Sequence, residues 1–136
     1  MDCIFCKIGK KEIPADMVYE DNNSFAILDI HPVAPGHTMV LPKIHADNLL
    51  ALPEEEIGPL FEAVKTVLGK LKRALGPDGF TVGINHGSVS GQEIDHLHIH
   101  LIPRFKGDAG SSINSVVNNP PKETIQEIAE KIKKAG

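Results

Sequence analysis

Three histidines alternate with apolar residues in the run His96-Leu97-His98-Ile99-His100. On a β-strand, alternate side chains lie on one face, so the three imidazoles would share a face while Leu97 and Ile99 point into a core. Imidazoles held this close must be coupled through shared protons, a metal ion or a bound anion. The spacing therefore predicts a site for chemistry on this strand.

Two cysteines, Cys3 and Cys6, lie three residues apart near the start of the sequence, and the chain has no others. The pair suits a metal site or a redox pair in a reducing compartment better than a disulfide framework. Two thiolates do not complete a metal site. Thioredoxin-like redox chemistry is disfavoured, because the pair does not follow a first strand of a βαβ pattern.

The composition is that of a globular protein, with 136 residues, 41% apolar and 24% charged. We expect a single domain that does not cross a membrane, since no apolar run approaches the ~18 residues that a span requires. A signal or transit segment is not predicted, so a cytoplasmic location is expected. The net charge of −4 argues against a nucleic acid polymer as partner and leaves small phosphorylated ligands open.

Hydrophobic periodicity predicts one long helix with an apolar stripe between Ile57 and Leu75, ended by Gly76-Pro77. Its start is left open, because Pro53 suits a first turn and Pro59 would disturb a helix already under way. Short connections on both sides of this helix favour an antiparallel sheet in an α+β domain. The predicted strands are residues 17–19, 24–28, 37–42, 80–85 and 95–102, and residues 107–121 are predicted as a loop before a short amphipathic helix that includes Ile125 and Ile132.

The segment from His96 to Ile102 has the pattern His-φ-His-φ-His-φ-φ, with φ apolar, at all seven positions, and it resembles the histidine triad (HIT) superfamily. The resemblance extends to residues 4–8, 28–30, 35–43 and to Gly91-Gln92, in the expected order. It implies a HIT domain over residues 1–108, with a short N-terminal helix beside the five-stranded sheet. Residues 109–136 would be a C-terminal loop and amphipathic helix.

The resemblance implies a two-step reaction at the α-phosphate of a purine nucleotide or another adenylated small molecule. His98 would attack phosphorus, and water or another acceptor would then cleave the nucleotidylated imidazole. An imidazole attacks without first losing a proton from a high-pKa hydroxyl. His100 would contact phosphate oxygens and assist the leaving group, while Gln92, Asn85 and the backbone at Gly91 would stabilise developing charge.

Further nucleotide contacts follow from the same resemblance. Asp29 would accept hydrogen bonds from the ribose hydroxyls, although an aspartate there also suits a turn. The base would lie between four apolar side chains, namely Ile4, Phe5, Leu28 and Ile30. One departure is Glu93, which stands where many relatives have Ser or Thr; a carboxylate cannot donate to phosphate unless it is protonated.

The zinc-containing branches of the superfamily supply two further ligands for the cysteine pair. Here these are His45, in Pro42-Lys43-Ile44-His45, and the first triad histidine, His96. With Cys3 and Cys6 they would form a closed, tetrahedral Cys2His2 set, which is typical of a structural zinc ion.

Two other functions remain as alternatives. A metal-dependent hydrolase would bind one catalytic ion with all three triad histidines, helped by His31, His37 or His86. On a strand, three such residues extend over about 13 Å, and this distance disfavours their binding to a single ion. A nucleotide-binding module without turnover stays possible. The leaving group is also open between phosphoramidates, dinucleoside polyphosphates and aminoacyl or sulfo-adenylates. Similarity suggests a homodimer, but an intramolecular core explains the apolar helix stripe equally well.

Overall fold

The computed structural model describes residues 2–136, which form one α+β unit. No helix in that range is long and apolar enough to cross a membrane. The strands are β1 (Met17–Glu20), β2 (Ser24–Leu28), β3 (Thr38–Pro42), β4 (Gly79–Gly83) and β5 (Ile99–Arg104), and the helices are α1 (Ile4–Gly9), α2 (Glu54–Leu75) and α3 (Ile125–Lys134).

The five strands form one antiparallel sheet in the order β1-β2-β3-β5-β4, which confirms the predicted fold class. The β1–β2 hairpin turns where predicted, because the Asp21 carboxylate accepts the backbone N–H groups of Asn23 and Ser24 at 2.8 Å. In the ladder, His100 of β5 lies between Met39 of β3 and Gly83 of β4. The last triad histidine is therefore in the middle of the sheet.

Helix α2 packs its apolar stripe on one face of the sheet and ends at Gly76, whose φ of +61° gives the left-handed cap that glycine allows. The helix begins at Glu54 and includes Pro59 in its second turn. Our expectation that Pro59 would oppose a helix there was wrong. A proline so near the N-terminus removes only one backbone hydrogen bond, and the buried stripe of a 22-residue helix compensates for that loss.

The other face of the sheet carries a second apolar cluster, which α1 covers. Phe5 and Ile8 of α1 pack there against Phe25, Ile27, Met39 and Leu41. The α2 face holds a separate cluster that includes Ala26, Val40, Ile99 and Leu101. The short N-terminal helix therefore brings Cys3 and Cys6 to the side of the sheet where the triad lies.

The strand predicted over residues 95–102 is displaced, because β5 starts at Ile99 and continues to Arg104. His96 and His98 precede it. The backbone N–H of His96 bonds to the carbonyl of Ile94 at 2.8 Å, and that of Leu97 bonds to the carbonyl of Ala46 at 2.7 Å. These hydrogen bonds go to loops, so the first two triad residues lie outside the ladder. Strand β4 likewise ends at Gly83, two residues before the predicted limit.

Candidate active site and metal-binding cluster

The His98 ring is buried, and its Nδ1 atom lies 2.8 Å from the backbone carbonyl of His96. A carbonyl oxygen only accepts, so Nδ1 carries the hydrogen and the neutral ring keeps its lone pair on Nε2. Within residues 2–136, Ser24 Oγ is the one fully enclosed side-chain polar atom without a partner. Nε2 of His98 bonds to no described residue and is not fully enclosed, as a nucleophile requires.

His100 is linked to a fourth histidine, His37, whose Nε2 atom lies 2.9 Å from His100 Nδ1. The backbone N–H of Val33 donates to His37 Nδ1 at 3.2 Å, so His37 carries its hydrogen on Nε2 and donates it to His100. His100 therefore keeps a hydrogen on Nε2. Burial, with His98 and His37 close by, lowers the pKa of His100 to about 4, so this ring is neutral near pH 7.

The Asp29 carboxylate completes this group at the end of β2. Its Oδ2 atom lies 3.4 Å from His37 Nε2 and 3.8 Å from His100 Nδ1, while Oδ1 accepts the backbone N–H of His31 at 2.8 Å. Asp29 is thus both a turn residue and a neighbour of the catalytic candidates. Sequence reasoning considered His37 only as a metal ligand; its place beside His100 depends on the β3–β5 register.

The side chain of Gln92, which we predicted as a phosphate contact, bonds to three backbone groups. Its Nε2 donates to the carbonyls of Asp47 at 2.7 Å and Ile94 at 3.1 Å, and its Oε1 accepts the N–H of Gly87 at 2.9 Å. Both amide hydrogens are used, so the side chain has none left for a phosphate oxygen. Gln92 instead fixes the loop that starts at Gly87.

Asn85 lies beside the turn at the end of that loop. Gly91 has a φ of +101°, and a Cβ there would be 3.7 Å from Asn85 Nδ2. That distance is an ordinary van der Waals contact, so glycine is favoured here by the positive φ of the turn. Asn85 and Gly91, both predicted phosphate contacts, therefore lie side by side, next to the segment that leads into His96.

The apolar residues predicted for the base divide between the two faces of the sheet. The Phe5 ring lies 5.2 Å from the His98 ring, edge to face, and Ile4 and Ile30 are exposed. Leu28 lines one cavity on the α2 side with Val18, Val67 and Leu71, and another with Asp29 and His37. Strand alternation turns the preceding residue, Ile27, toward Phe5 instead.

Cys3, Cys6, His45 and His96 form a cluster whose donor atoms all lie within 4.8 Å of one another. The thiol of Cys3 is 3.4 Å from His96 Nδ1, and that of Cys6 is 3.4 Å from His45 Nδ1 and 3.5 Å from His96 Nδ1. Zn–S and Zn–N bonds of about 2.3 and 2.0 Å in a tetrahedron separate S and N by about 3.5 Å. The cluster therefore has the dimensions of a zinc site and could hold a metal ion.

The outer nitrogens of both histidines support this interpretation. His96 Nε2 donates to the Pro42 carbonyl at 2.9 Å, and His45 Nε2 lies 3.0 Å from the carboxylate of Asp47. These partners hold the hydrogens on Nε2, which leaves each Nδ1 lone pair directed at the thiols. The same geometry opposes one ion bound by all three triad histidines, because their Nδ1 atoms face different partners. Nδ1 of His96 faces the thiols, that of His98 faces a backbone carbonyl, and that of His100 faces His37.

Comparison with known proteins agrees with these features. Residues 10–107 match the HIT domain family. An uncharacterised HIT-like protein of Methanocaldococcus jannaschii is 47% identical over 106 residues, or 78% of this chain and 81% of that protein. An adenosine 5'-monophosphoramidase of Saccharomyces cerevisiae is 40% identical over 122 residues, or 90% of this chain and 72% of the relative. A crystal structure from Streptococcus mutans UA159 has a TM-score of 0.86 at 34% identity, covering 98% of this chain and 85% of that one. The chain belongs to the HIT family.

Proposed function

We propose that this protein is a hydrolase or transferase that cleaves adenylated small molecules at the α-phosphate through a nucleotidyl intermediate on His98. The observation that carries the proposal is the contact of His98 Nδ1 with the backbone carbonyl of His96 at 2.8 Å, which leaves the opposite nitrogen, Nε2, without a partner among the described residues. The yeast relative named as an adenosine 5'-monophosphoramidase supports a phosphoramidate as substrate. A binding module has no need for a nucleophile held in one tautomer.

In the first step the Nε2 lone pair of His98 forms a bond to the α-phosphorus, and the bond from phosphorus to the leaving group breaks with its electron pair on the leaving group. The imidazole becomes cationic, and the His96 carbonyl stabilises it through the Nδ1 hydrogen. The Nε2–H of His100 hydrogen-bonds to the departing atom or to a phosphoryl oxygen. In the second step the oxygen of water bonds to phosphorus, and the P–N bond to His98 breaks with its electron pair on Nε2. The proton that water loses balances the proton that the departing nitrogen takes up in the first step.

Nucleotide binding follows from the neighbouring groups. Asp29 is placed to accept hydrogen bonds from the ribose hydroxyls, since its carboxylate lies beside His37 and His100. Phe5, with Ile4 and Ile30, supplies apolar surface for a base. Asn85 and the backbone of the loop after Gly87 are the candidate donors to phosphate.

We also propose a structural zinc ion in the cluster of Cys3, Cys6, His45 and His96. Four protein ligands leave no open position for substrate, so the ion would supply stability and hold His96 in place. Since the carbonyl of His96 anchors the nucleophile, the zinc ligands would position His98 indirectly.

The test compares wild type with His98→Ala on adenosine 5'-phosphoramidate. We expect wild type to release AMP and to show a nucleotidyl adduct by intact mass after acid-free quenching, because P–N bonds to imidazole are acid-labile. His98→Ala should bind AMP and show neither turnover nor adduct. AMP release by the variant, or wild type that binds AMP without any turnover, would contradict the proposal.

A further inference from the structure

Asp29, His37 and His100 form a second group of side chains that could hold a metal ion. The donor atoms are Oδ2 of Asp29, Nε2 of His37 and Nδ1 of His100. None of these residues belongs to the four-ligand cluster that contains Cys3 and Cys6. The reaction proposed above uses all three without an ion, so their capacity to bind one is a separate property.

The three donor atoms are separated as the ligands of a single ion are. His37 Nε2 lies 2.9 Å from His100 Nδ1 and 3.4 Å from Asp29 Oδ2, and the third side of the triangle is 3.8 Å. The point equidistant from three such atoms is about 2.0 Å from each, and zinc bonds to these donors are about 2.0–2.2 Å long. With bonds of about 2.1 Å the ligand angles are about 90–130°, around the tetrahedral value.

The group has the charge and the enclosure that favour a cation. Two neutral imidazoles and one carboxylate carry a single negative charge, and no lysine or arginine of residues 2–136 forms an ion pair with Asp29. The exposed fractions of the side chains are 5% for His37, 14% for Asp29 and 18% for His100. A carboxylate that is largely enclosed and lacks a lysine or arginine partner gains from a bound cation.

Ion binding requires a shift of one hydrogen. His37 holds its hydrogen on Nε2, because the backbone N–H of Val33 donates to Nδ1 at 3.2 Å. With an ion on Nε2 the hydrogen moves to Nδ1, and the Val33 amide turns to water. The lost bond is at the long end of the usual range, and Val33 is 72% exposed in the loop between β2 and β3, so the change is local.

The donor set selects one class of ion. Two imidazoles and one carboxylate suit divalent transition ions such as zinc, cobalt and nickel, whereas calcium and magnesium require mostly oxygen ligands. Three protein ligands leave one position open for water. They also hold the ion less tightly than the four ligands of the cluster do, so we expect this site to fill on addition of the ion and to empty during purification.

We propose that Asp29, His37 and His100 form a second site, which binds a divalent transition ion, and that an ion there excludes the nucleotide. The ion binds the Asp29 carboxylate, which is the acceptor assigned to the ribose hydroxyls, and it takes the Nδ1 lone pair of His100. Ion and nucleotide therefore compete, and free ion lowers turnover. The exclusion rests on the proposed function, whereas the ion site does not.

The test uses untagged, nucleotide-free protein whose four-ligand cluster has first received one equivalent of zinc. Titration with Co²⁺ is followed by calorimetry and absorption. We expect one further equivalent to bind with d–d bands and without a thiolate-to-cobalt charge-transfer band, because the three ligands include no sulfur. His37→Ala and Asp29→Asn should each weaken this binding at least about tenfold. The matched control His86→Ala, at an exposed histidine, should bind as wild type, and thermal unfolding verifies that each variant is folded.

The same titration in saturating AMP tests the exclusion, and the cobalt affinity should fall at least about tenfold. Absence of the further equivalent in wild type, or equal binding by wild type and His37→Ala, would overturn the site. Growth of a thiolate charge-transfer band would place the ion at Cys3 and Cys6 instead. AMP that binds without changing the cobalt affinity would overturn the exclusion. Failure of AMP to bind would contradict the proposed function and with it the exclusion, while the nucleotide-free titration alone decides the ion site.

Discussion

At the scale of single residues, backbone groups set the proton positions on three of the histidines. The carbonyl of His96 holds the hydrogen of His98 on Nδ1, the carbonyl of Pro42 holds that of His96 on Nε2, and the N–H of Val33 leaves His37 protonated on Nε2. Each partner can only accept or only donate, so each tautomer is determined. The same type of side chain can thus serve as candidate nucleophile, metal ligand or hydrogen-bond donor, depending on the partner that fixes its tautomer.

The link between His37 and His100 gives the first prediction. His37→Ala removes the donor to His100 Nδ1 and leaves that ring free to adopt the other tautomer, so its Nε2 no longer presents a hydrogen. We expect kcat to fall roughly 100-fold while the Kd for AMP changes less than threefold. The matched control is His86→Ala, an exposed histidine, which should behave as wild type. Equal loss of affinity and kcat would assign His37 to binding instead.

The second prediction concerns pH. His100 has a pKa of about 4 in the folded protein, below the usual 6.5, so the unfolded chain binds its proton more readily than the folded one. This contribution to stability is complete above pH 6.5 and is lost as the pH falls toward 4. It amounts to about 3 kcal/mol at most.

Urea unfolding at pH 7 and pH 4.5 measures the effect in chelator-treated protein, where metal release does not contribute. His100→Gln should show a smaller loss of stability over this range than wild type, because glutamine does not titrate. An identical loss in both proteins would assign the acid sensitivity to other groups.

At the scale of elements, the residues around Ala46-Asp47, the loop after Gly87 and the start of the triad are joined by hydrogen bonds of the Gln92 side chain and of the backbone. Gln92 connects Gly87, Asp47 and Ile94, and Leu97 bonds to Ala46. Through His45 and Asp47 this segment also reaches the metal-binding cluster. The loop beside the phosphate position and the cluster are therefore parts of one hydrogen-bonded unit.

Gln92→Ala is the third prediction. It leaves three backbone groups without partners around a buried side chain, so we expect the free energy of unfolding to fall by about 1–3 kcal/mol. Hydrogen exchange at Gly87 should accelerate, and KM should rise more than kcat falls, because the loop loses order. Gln126→Ala, on the exposed face of α3, is the control and should stay within about 0.5 kcal/mol of wild type. Unchanged exchange at Gly87 would refute this role.

At the scale of the whole molecule, the cluster of Cys3, Cys6, His45 and His96 joins three distant parts of the chain. Cys3 caps α1, Cys6 lies one turn later, His45 follows β3 and His96 precedes β5. Helix α1 is short and covers the second apolar cluster with Phe5 and Ile8. Metal ligation would thus secure a helix that six residues could not stabilise alone.

The fourth prediction follows for metal removal. Wild type should contain about one zinc ion per chain by elemental analysis, and Cys6→Ser should contain almost none. Chelation should lower Tm by more than 10 °C, since a bound structural ion contributes several kcal/mol to folding. Cobalt substitution should give the intense d–d absorption of a tetrahedral site. Zinc content that is equal in wild type and Cys6→Ser would contradict the assignment.

Local patterns were sufficient for the fold class and for the family. Alternation identified the strands and the triad, a period of 3.6 identified α2, and the motif identified the HIT family, since each is a property of a short stretch of sequence. The hydrogen bonds of single residues were less predictable. Ile27 and Leu28 lie on opposite faces of the sheet, because a one-residue step along a strand decides the side.

The sequence by itself determined which residues can do chemistry: three imidazoles in alternation, two thiols one helical turn apart, and an aspartate at a strand end. Only the tertiary structure decided which partner each of these groups has. It directs His96 to the thiols, leaves Nε2 of His98 open, joins His100 to His37 and uses all the amide hydrogens of Gln92. The reason is physical: a tautomer depends on the partner of the opposite nitrogen, and these partners come from segments distant in sequence that the antiparallel register brings together.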